Sequence, residues 1–554
     1  MRKISALESI RKDYQPKLPL SLRQGITSIQ LNKGKMTQPE SDQEAIQKIF
    51  PTTYGLPVIQ YATSETPQNL KALKVGVILS GGQAPGGHNV ISGLFDGIKS
   101  LDSKSTLYGF LGGPSGLENG EYIEIDSNKM DAFRNTGGFD IIGSGRTKLE
   151  TTEQFDRCIA VVQKLELDAI VVIGGDDSNT NAAVLAEYLK GKGLKISVIG
   201  VPKTIDGDLK NEYIPTSFGF DTACKVYSEL VGNIARDASS AKKYWHFIKL
   251  MGRSASHIAL EVALQTRPNV ALISEEIAAN KSSLEDVVQT ICDSILARSQ
   301  NKQNYGIVLI PEGLIEFIPS INKLISNLND ILAEKEAELE SIATTADKVK
   351  ALSQWLEADD GETLQALPER IQAQLLLDRD PHGNVQVSRI ETEVLLIELV
   401  QKKLNQLKSE GQYQGSFSEQ HHFFGYEGRC AAPSNFDADY TYSLGYGAVA
   451  LIAAGETGYM SSVTGVTENA DHWKAGGIPI TMLFNMEQRH GAQKAVIKKA
   501  LVELNGAPFN FFKENRATWA VEDNFLYPGP IQYFGPEEVC DLTNVTLQLE
   551  NKKS

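Results

Sequence analysis

Val75-Gly-Val-Ile-Leu79, then Ser80-Gly-Gly-Gln-Ala-Pro-Gly-Gly87, then the stretch from His88 to Ile98 decide the fold. The first is a short continuous apolar run, the pattern of a strand buried on both faces. The second is rich in glycine and holds a proline, so it predicts a tight turn. In the third, Val90, Ile91, Leu94, Phe95 and Ile98 fall on one helical face. Two further apolar runs follow. Ala169-Ile-Val-Val-Ile173 leads into Gly174-Gly and a helix from Asn181 to Leu189, and Ile196-Ser-Val-Ile-Gly200 leads into a polar loop. Apolar runs alternating with helices predict βαβ units and a parallel sheet. In such sheets ligands gather at the carboxyl ends of the strands, where all three glycine or aspartate clusters sit.

Outward from this centre the pattern changes. A second α/β set begins near Phe218, with His246-Phe-Ile-Lys-Leu250 before Met-Gly-Arg and Gly306-Ile-Val-Leu-Ile310 before Pro-Glu-Gly. Residues 321–412 are rich in Leu, Ala, Glu, Lys and Gln, with Leu324, Leu328 and Leu332 at helical spacing, and predict a helical insertion that packs or makes oligomer contacts. Residues 1–71 are mixed in pattern and predict an N-terminal extension. The α/β pattern resumes near Phe423.

The chain has 554 residues, 54 Lys and Arg against 69 Asp and Glu, and a formal charge of −15. That balance argues against a nucleic-acid partner, which needs a basic surface. A site for an anion must then be a local basic pocket. Cys158, Cys224, Cys292, Cys430 and Cys540 lie far apart, as expected of reduced thiols in a cytoplasmic protein. The N-terminus lacks an apolar signal region, and the weakly polar stretch Tyr446 to Gly455 is too short to span a bilayer, so no membrane role is expected.

Three polar clusters carry chemistry. The loop Ser80 to Gly87 lets backbone approach an anion and delivers it to a helix N-terminus, although alone it also suits a bare turn. It is neither a Walker A loop nor a GxGxxG dinucleotide loop. Gly174-Gly-Asp-Asp-Ser178 closes the second strand, and Asp176 is the candidate ligand for Mg2+. Aspartates there also suit helix capping. Pro202-Lys-Thr-Ile-Asp-Gly-Asp208 closes the third. Phosphoryl transfer to an alcohol calls for a base, and Asp206 is the candidate. Thr204 is placed to hydrogen-bond the moving group, and Asp208 to steer the network or the metal.

Together these motifs resemble the phosphofructokinase family over roughly residues 72–320 and 420–535. Six signatures occur in order: Gly81-Gly-Gln-Ala-Pro-Gly-Gly, Gly174-Gly-Asp-Asp-Ser, Lys203-Thr-Ile-Asp-Gly-Asp, Met251-Gly-Arg, Pro311-Glu-Gly and Phe424-Gly-Tyr-Glu-Gly-Arg429. The resemblance implies two Rossmann-like α/β domains with mostly parallel sheets. Residues 72–215 and 433–505 would serve the phosphoryl donor, and residues 216–320, 413–432 and 506–554 the sugar phosphate. It implies that Asp206 is the proton acceptor, Asp176 the Mg2+ ligand and Gly82 a phosphate contact. Thr204, Ile205 and Asp206 would meet the sugar, as would Met251, Gly252 and Arg253. Glu312 would hold sugar hydroxyls, Tyr426 and Arg429 the 6-phosphate, and Arg146 and Arg253 would act on the transferring group.

Two departures bear on the donor. Family members that use ATP read Gly-Gly-Asp-Gly, where this chain has Asp177, and carry glycine where it has Lys203. A carboxylate at ~4 Å from a nucleotide α-phosphate would repel it by about 4 kcal/mol at an effective dielectric near 20. Both residues match the pyrophosphate-dependent subfamily, acting on pyrophosphate and fructose 6-phosphate. The alternatives are an ATP-dependent enzyme and a non-catalytic subunit of the same fold. Gln420 falls where many ATP users place an arginine donated by a second subunit; Lys243 and Tyr244 are the candidate substitutes in a homodimer or higher homo-oligomer with a shared sugar site.

Overall fold

The register between neighbouring strands explains why distant polar clusters meet. In the computed structural model, Lys74–Leu79, Ala169–Gly174 and Ser197–Pro202 lie side by side and parallel. Leu79 pairs with Ile173, and Ile173 with Val201. Gly81, Gly175 and Lys203 therefore emerge abreast, with ~4.8 Å between neighbouring strands. The structure describes residues 6–377, 385–489, 492–529, 537 and 541–552. Their contacts divide into two units, one drawn from Met1–Val226, Tyr426–Ala500 and Ile531–Ser554, the other from Tyr227–Gly425 and Leu501–Pro530.

The first unit is built on a nine-stranded sheet. Its middle consists of five parallel strands in the order Tyr459–Thr464, Ser197–Pro202, Ala169–Gly174, Lys74–Leu79 and Thr106–Phe110. Lys74–Leu79, Ala169–Gly174 and Ser197–Pro202 are buried at nearly every position, as continuous apolar runs require. The helices Gly87–Leu101, Asp176–Gly191 and Asn435–Ala453 belong to the same unit. The second helix begins five residues before the expected Asn181. Gly175 is its N-cap, and Asp176 and Asp177 fill its first turn, where carboxylates favour the positive end of the helix dipole.

Residues 1–71 do more than extend the body. Ile29–Met36 and Pro57–Thr63 pair antiparallel, and the latter joins Lys474–Pro479, adding two strands to one sheet edge. The chain end also groups differently from the expected division. Asp541 accepts from Lys17 at 2.6 Å and from Asn435 at 3.0 Å, and Glu550 pairs with Lys210. These ties hold residues 541–552 to the first unit.

The second unit holds a four-stranded parallel sheet in the order Glu419–Phe424, Trp245–Leu250, Gly306–Pro311 and Val270–Ala271. Among the described residues of 321–412 the longer elements are helices, including Pro319–Glu334, Thr345–Trp355 and Thr392–Ser409. Leu324, Leu328, Leu352 and Leu396 are fully buried in one core with Trp245, Phe247 and Val308 of the sheet. The helical stretch is thus packed onto the sheet. Inside that core a buried Lys249–Glu393 pair at 2.9 Å fixes the start of the helix Thr392–Ser409 to the strand Trp245–Leu250.

Candidate active site

In the first unit, three loops close around the parallel strand ends. Ser80 N donates to Ile173 O at 2.8 Å, Gly81 N to Gly145 O at 2.8 Å, and Lys203 N to Gly174 O at 2.9 Å. Ser178 Oγ donates to Ser80 Oγ at 2.8 Å. Asn179 is wholly buried, and its amide nitrogen lies 2.6, 3.0 and 3.3 Å from the carbonyls of Gly174, Gly175 and Val201. It ties two strand ends together. Gly86 caps the following helix at φ 103°, a left-handed backbone that glycine adopts without penalty.

Besides Lys148, which pairs with Asp177, four cations border this loop set. Lys203 is buried, and its Nζ would stand 3.4 Å from a Cβ placed on Gly81. Burial lowers its pKa to about 8, with repulsion from Arg429 and Arg146 acting the same way against the pull of Asp206 and Asp176. Arg429 lies over the loop. Its Nε donates to Gln83 O at 3.2 Å, and a Cβ on Gly82 would overlap its guanidinium, so a side chain there would push the Arg429 head group off the loop. The fourth is Lys499, whose Nζ is 3.5 Å from Asp176 Oδ2 and 3.9 Å from Asp208 Oδ2. Sequence reasoning missed Lys499 and Asn179. Lys499 lies almost 300 residues from Asp208 with no motif around it, and a lone asparagine carries no periodic signal.

The carboxylates differ in setting. Asp177 is half-exposed and pairs with Lys148 at 3.5 Å. Asp206 N donates to Thr204 Oγ1 at 3.1 Å, which fixes the turn that carries both. Asp208 is buried, and burial, reinforced by repulsion from Asp206, raises its pKa to about 7 against the pull of Lys499. Ile205, between Thr204 and Asp206 in sequence, is buried. Among the described residues, no group of three or more His, Cys, Asp or Glu side chains is arranged to hold a metal alone. A carboxylate or two at these strand ends suits a hard cation that takes its remaining ligands from oxygens of another molecule. Tyr426 is exposed, with the Arg429 guanidinium 5.7 Å from its ring centre.

In the second unit, Met251, Gly252 and Arg253 follow the strand Trp245–Leu250, and Glu312 follows Gly306–Pro311. Gly252 N donates to the buried Glu312 Oε2 at 3.0 Å, and Met251 N donates to Phe424 O at 2.9 Å. Arg253 is exposed. Lys243 and Tyr244 precede the same strand, with Lys243 Nζ 4.7 Å from the Tyr244 ring centre. A strand of that length separates them from Met251 by ~20 Å. Within one chain these two residues and Met251 stand at opposite strand ends.

Of the cysteines, Cys158, Cys292 and Cys430 form no disulfide among the described residues, Cys224 is buried, and Cys540 lies outside the described residues. Among the described residues no helix is long and apolar enough to cross a membrane.

Residues 74–452 match the family described as Phosphofructokinase. A pyrophosphate--fructose 6-phosphate 1-phosphotransferase from Treponema pallidum is 55% identical over 556 residues, covering 99% of this chain and 97% of its own length. A protein of the same description from Porphyromonas gingivalis is 54% identical over 546 residues, covering 99% of both chains. Among solved structures, a pyrophosphate-dependent phosphofructokinase from Nitrosospira multiformis aligns with a TM-score of 0.54 at 17% identity, over 86% of this chain and 98% of that one, a likeness of fold. With the parallel strand ends, their glycine loop and their paired acids in place, the chain belongs to the phosphofructokinase family.

Proposed function

We propose that this chain catalyses the reversible, Mg2+-dependent transfer of a phosphoryl group from pyrophosphate to the 1-hydroxyl of fructose 6-phosphate, giving fructose 1,6-bisphosphate and phosphate. The observation that carries this reading is the buried lysine of the donor loops: Lys203 is held beside Gly81, among Asp176, Asp206, Arg146 and Arg429. A compact, highly charged diphosphate suits such a setting. Asp177 supplies bulk and negative charge against a nucleotide. The high identity to relatives described as pyrophosphate-using enzymes supports the same donor.

In this reading Gly82, Arg146 and Lys203 hold pyrophosphate. Asp176 would hold Mg2+, which when bound neutralises charge on the diphosphate oxygens. Asp206 takes the proton from the attacking hydroxyl, Thr204 donates to the moving phosphoryl group, and Arg253 offsets its charge. Glu312 accepts from sugar hydroxyls, its own orientation fixed by the Gly252 amide. Met251, Gly252 and Ile205 shape the sugar contact, and Tyr426 and Arg429 hold the 6-phosphate. Catalysis is then positioning and charge stabilisation.

Lys243 and Tyr244 belong to the sugar site of a second copy, in a cytoplasmic homodimer or higher homo-oligomer. Their place at the far end of the strand from Met251 supports a contact made across subunits. The test is an initial-rate assay of the full chain with fructose 6-phosphate, Mg2+ and either pyrophosphate or ATP. Turnover with pyrophosphate and none with ATP is expected; turnover with ATP alone would refute the proposal.

A further inference from the structure

Lys499 lies outside every motif that the strand ends display, yet its backbone is fixed on both sides. Lys498 N donates to Leu483 O at 2.9 Å, and Ala500 N donates to Asp208 O at 2.7 Å. Between these anchors the Lys499 side chain reaches Asp176 at 3.5 Å and Asp208 at 3.9 Å, and it remains about one-third exposed. An ammonium in that place faces the same carboxylate that would hold the metal. Two cations directed at one small acidic cluster repel each other strongly at such distances. A diphosphate changes the balance, because its oxygens can take the ammonium while the metal takes the carboxylate.

We infer that Lys499 selects the metal–diphosphate complex over free metal. Without diphosphate it stands as the counter-ion of Asp176 and Asp208 and opposes a lone divalent cation. With the complex present it turns on its flexible stem to the phosphate oxygens and becomes a ligand of the donor. This role rests on reading these strand ends as the donor site. A partly exposed ion pair adds little to folding stability, so a variant at this position should remain folded.

The experiment is equilibrium titration of the full chain with Mn2+ alone, by electron paramagnetic resonance, and with magnesium imidodiphosphate, by calorimetry. For Lys499→Met the expected result is about tenfold tighter Mn2+ and about tenfold weaker imidodiphosphate, each near 1.4 kcal/mol. Lys499→Arg should bind imidodiphosphate within about threefold of the parent, since it keeps the charge. An imidodiphosphate affinity that changes less than about threefold in Lys499→Met overturns the proposal, as does a Mn2+ affinity that fails to rise. Lys203→Met and Asp176→Asn serve as controls. If they too leave imidodiphosphate binding intact, the donor-site reading falls; if they weaken it and Lys499→Met does not, only the role of Lys499 falls.

Discussion

The two sets of strand ends solve opposite problems. In the first unit, Asp176, Asp206 and Asp208 sit among Lys203, Arg429, Arg146 and Lys499, and the charges perturb one another. In the second unit the chemistry is quiet. Glu312 is buried and already satisfied by the Gly252 amide, and the neighbouring Lys249–Glu393 pair closes on itself. On the proposed reading, the first arrangement is relieved by a polyanion, and the second is set in advance for neutral hydroxyl groups. Like charges held close in a part-buried site cost energy that a bound ligand of opposite charge recovers. Backbone-fixed acceptors ask for no such rearrangement.

The largest expected effect breaks the first unit's chemistry. Asp206→Asn should lower kcat by about 10²- to 10⁴-fold while leaving both KM values within a few-fold, because a base acts on the proton and not on binding. Steady-state kinetics check it, and near-normal turnover would refute the assignment.

Titration in the second unit should instead change stability. Burial, aided by the adjacent His422 ring, lowers the His246 pKa to about 4. Its Nδ1 lies 3.0 Å from His422 Nε2. The unfolded histidine binds its proton near 6.5 and the folded one near 4, so stability is full above pH 6.5 and falls as pH drops through this window. The loss should approach ~3 kcal/mol by pH 4. Denaturant titrations of the parent against His246→Asn measure it, and equal pH slopes in the two proteins would contradict the burial argument.

A smaller effect sharpens the comparison at the sugar side. Glu312→Gln keeps an acceptor for the Gly252 amide but removes the charge, so the fructose 6-phosphate KM should rise about 10- to 100-fold, the equivalent of ~1.5–3 kcal/mol. The pyrophosphate KM should hold. The smallest effect concerns Lys203. In the ligand-free protein it keeps its proton below about pH 8 and loses it above. Diphosphate restores the charged form, so binding above pH 8 should take up protons and weaken by at most about tenfold per pH unit. Calorimetry in buffers of different ionisation enthalpy reads the uptake, which should vanish in Lys203→Met.

Much of this was legible in the sequence because the parallel sheet writes itself in apolar runs. Val75–Leu79, Ala169–Ile173 and Ile196–Gly200 each announce a buried strand, and the polar residues after them must then share one sheet end. Leu324, Leu328 and Leu332 likewise announced a packed helix. The strand Ile29–Met36 did not, because it is mostly exposed at a sheet edge and carries Gln, Asn, Lys and Gly where a buried strand would be apolar. The start of the helix at Asp176 was hidden for a related reason: Gly-Gly-Asp-Asp-Ser is as polar as a loop. Asn179 and Lys499 needed the fold itself. One acts through carbonyl groups that no side-chain pattern reveals, and the other reaches its partners only after the chain has returned to the sheet.

On the proposed reading, a carboxylate at 177 and an ammonium at 203 set the phosphoryl donor. The most direct measurement is kcat/KM for pyrophosphate and for ATP in the double variant Asp177→Gly, Lys203→Gly. ATP use should rise and pyrophosphate use should fall relative to the parent chain. A donor preference left unchanged would contradict the claim.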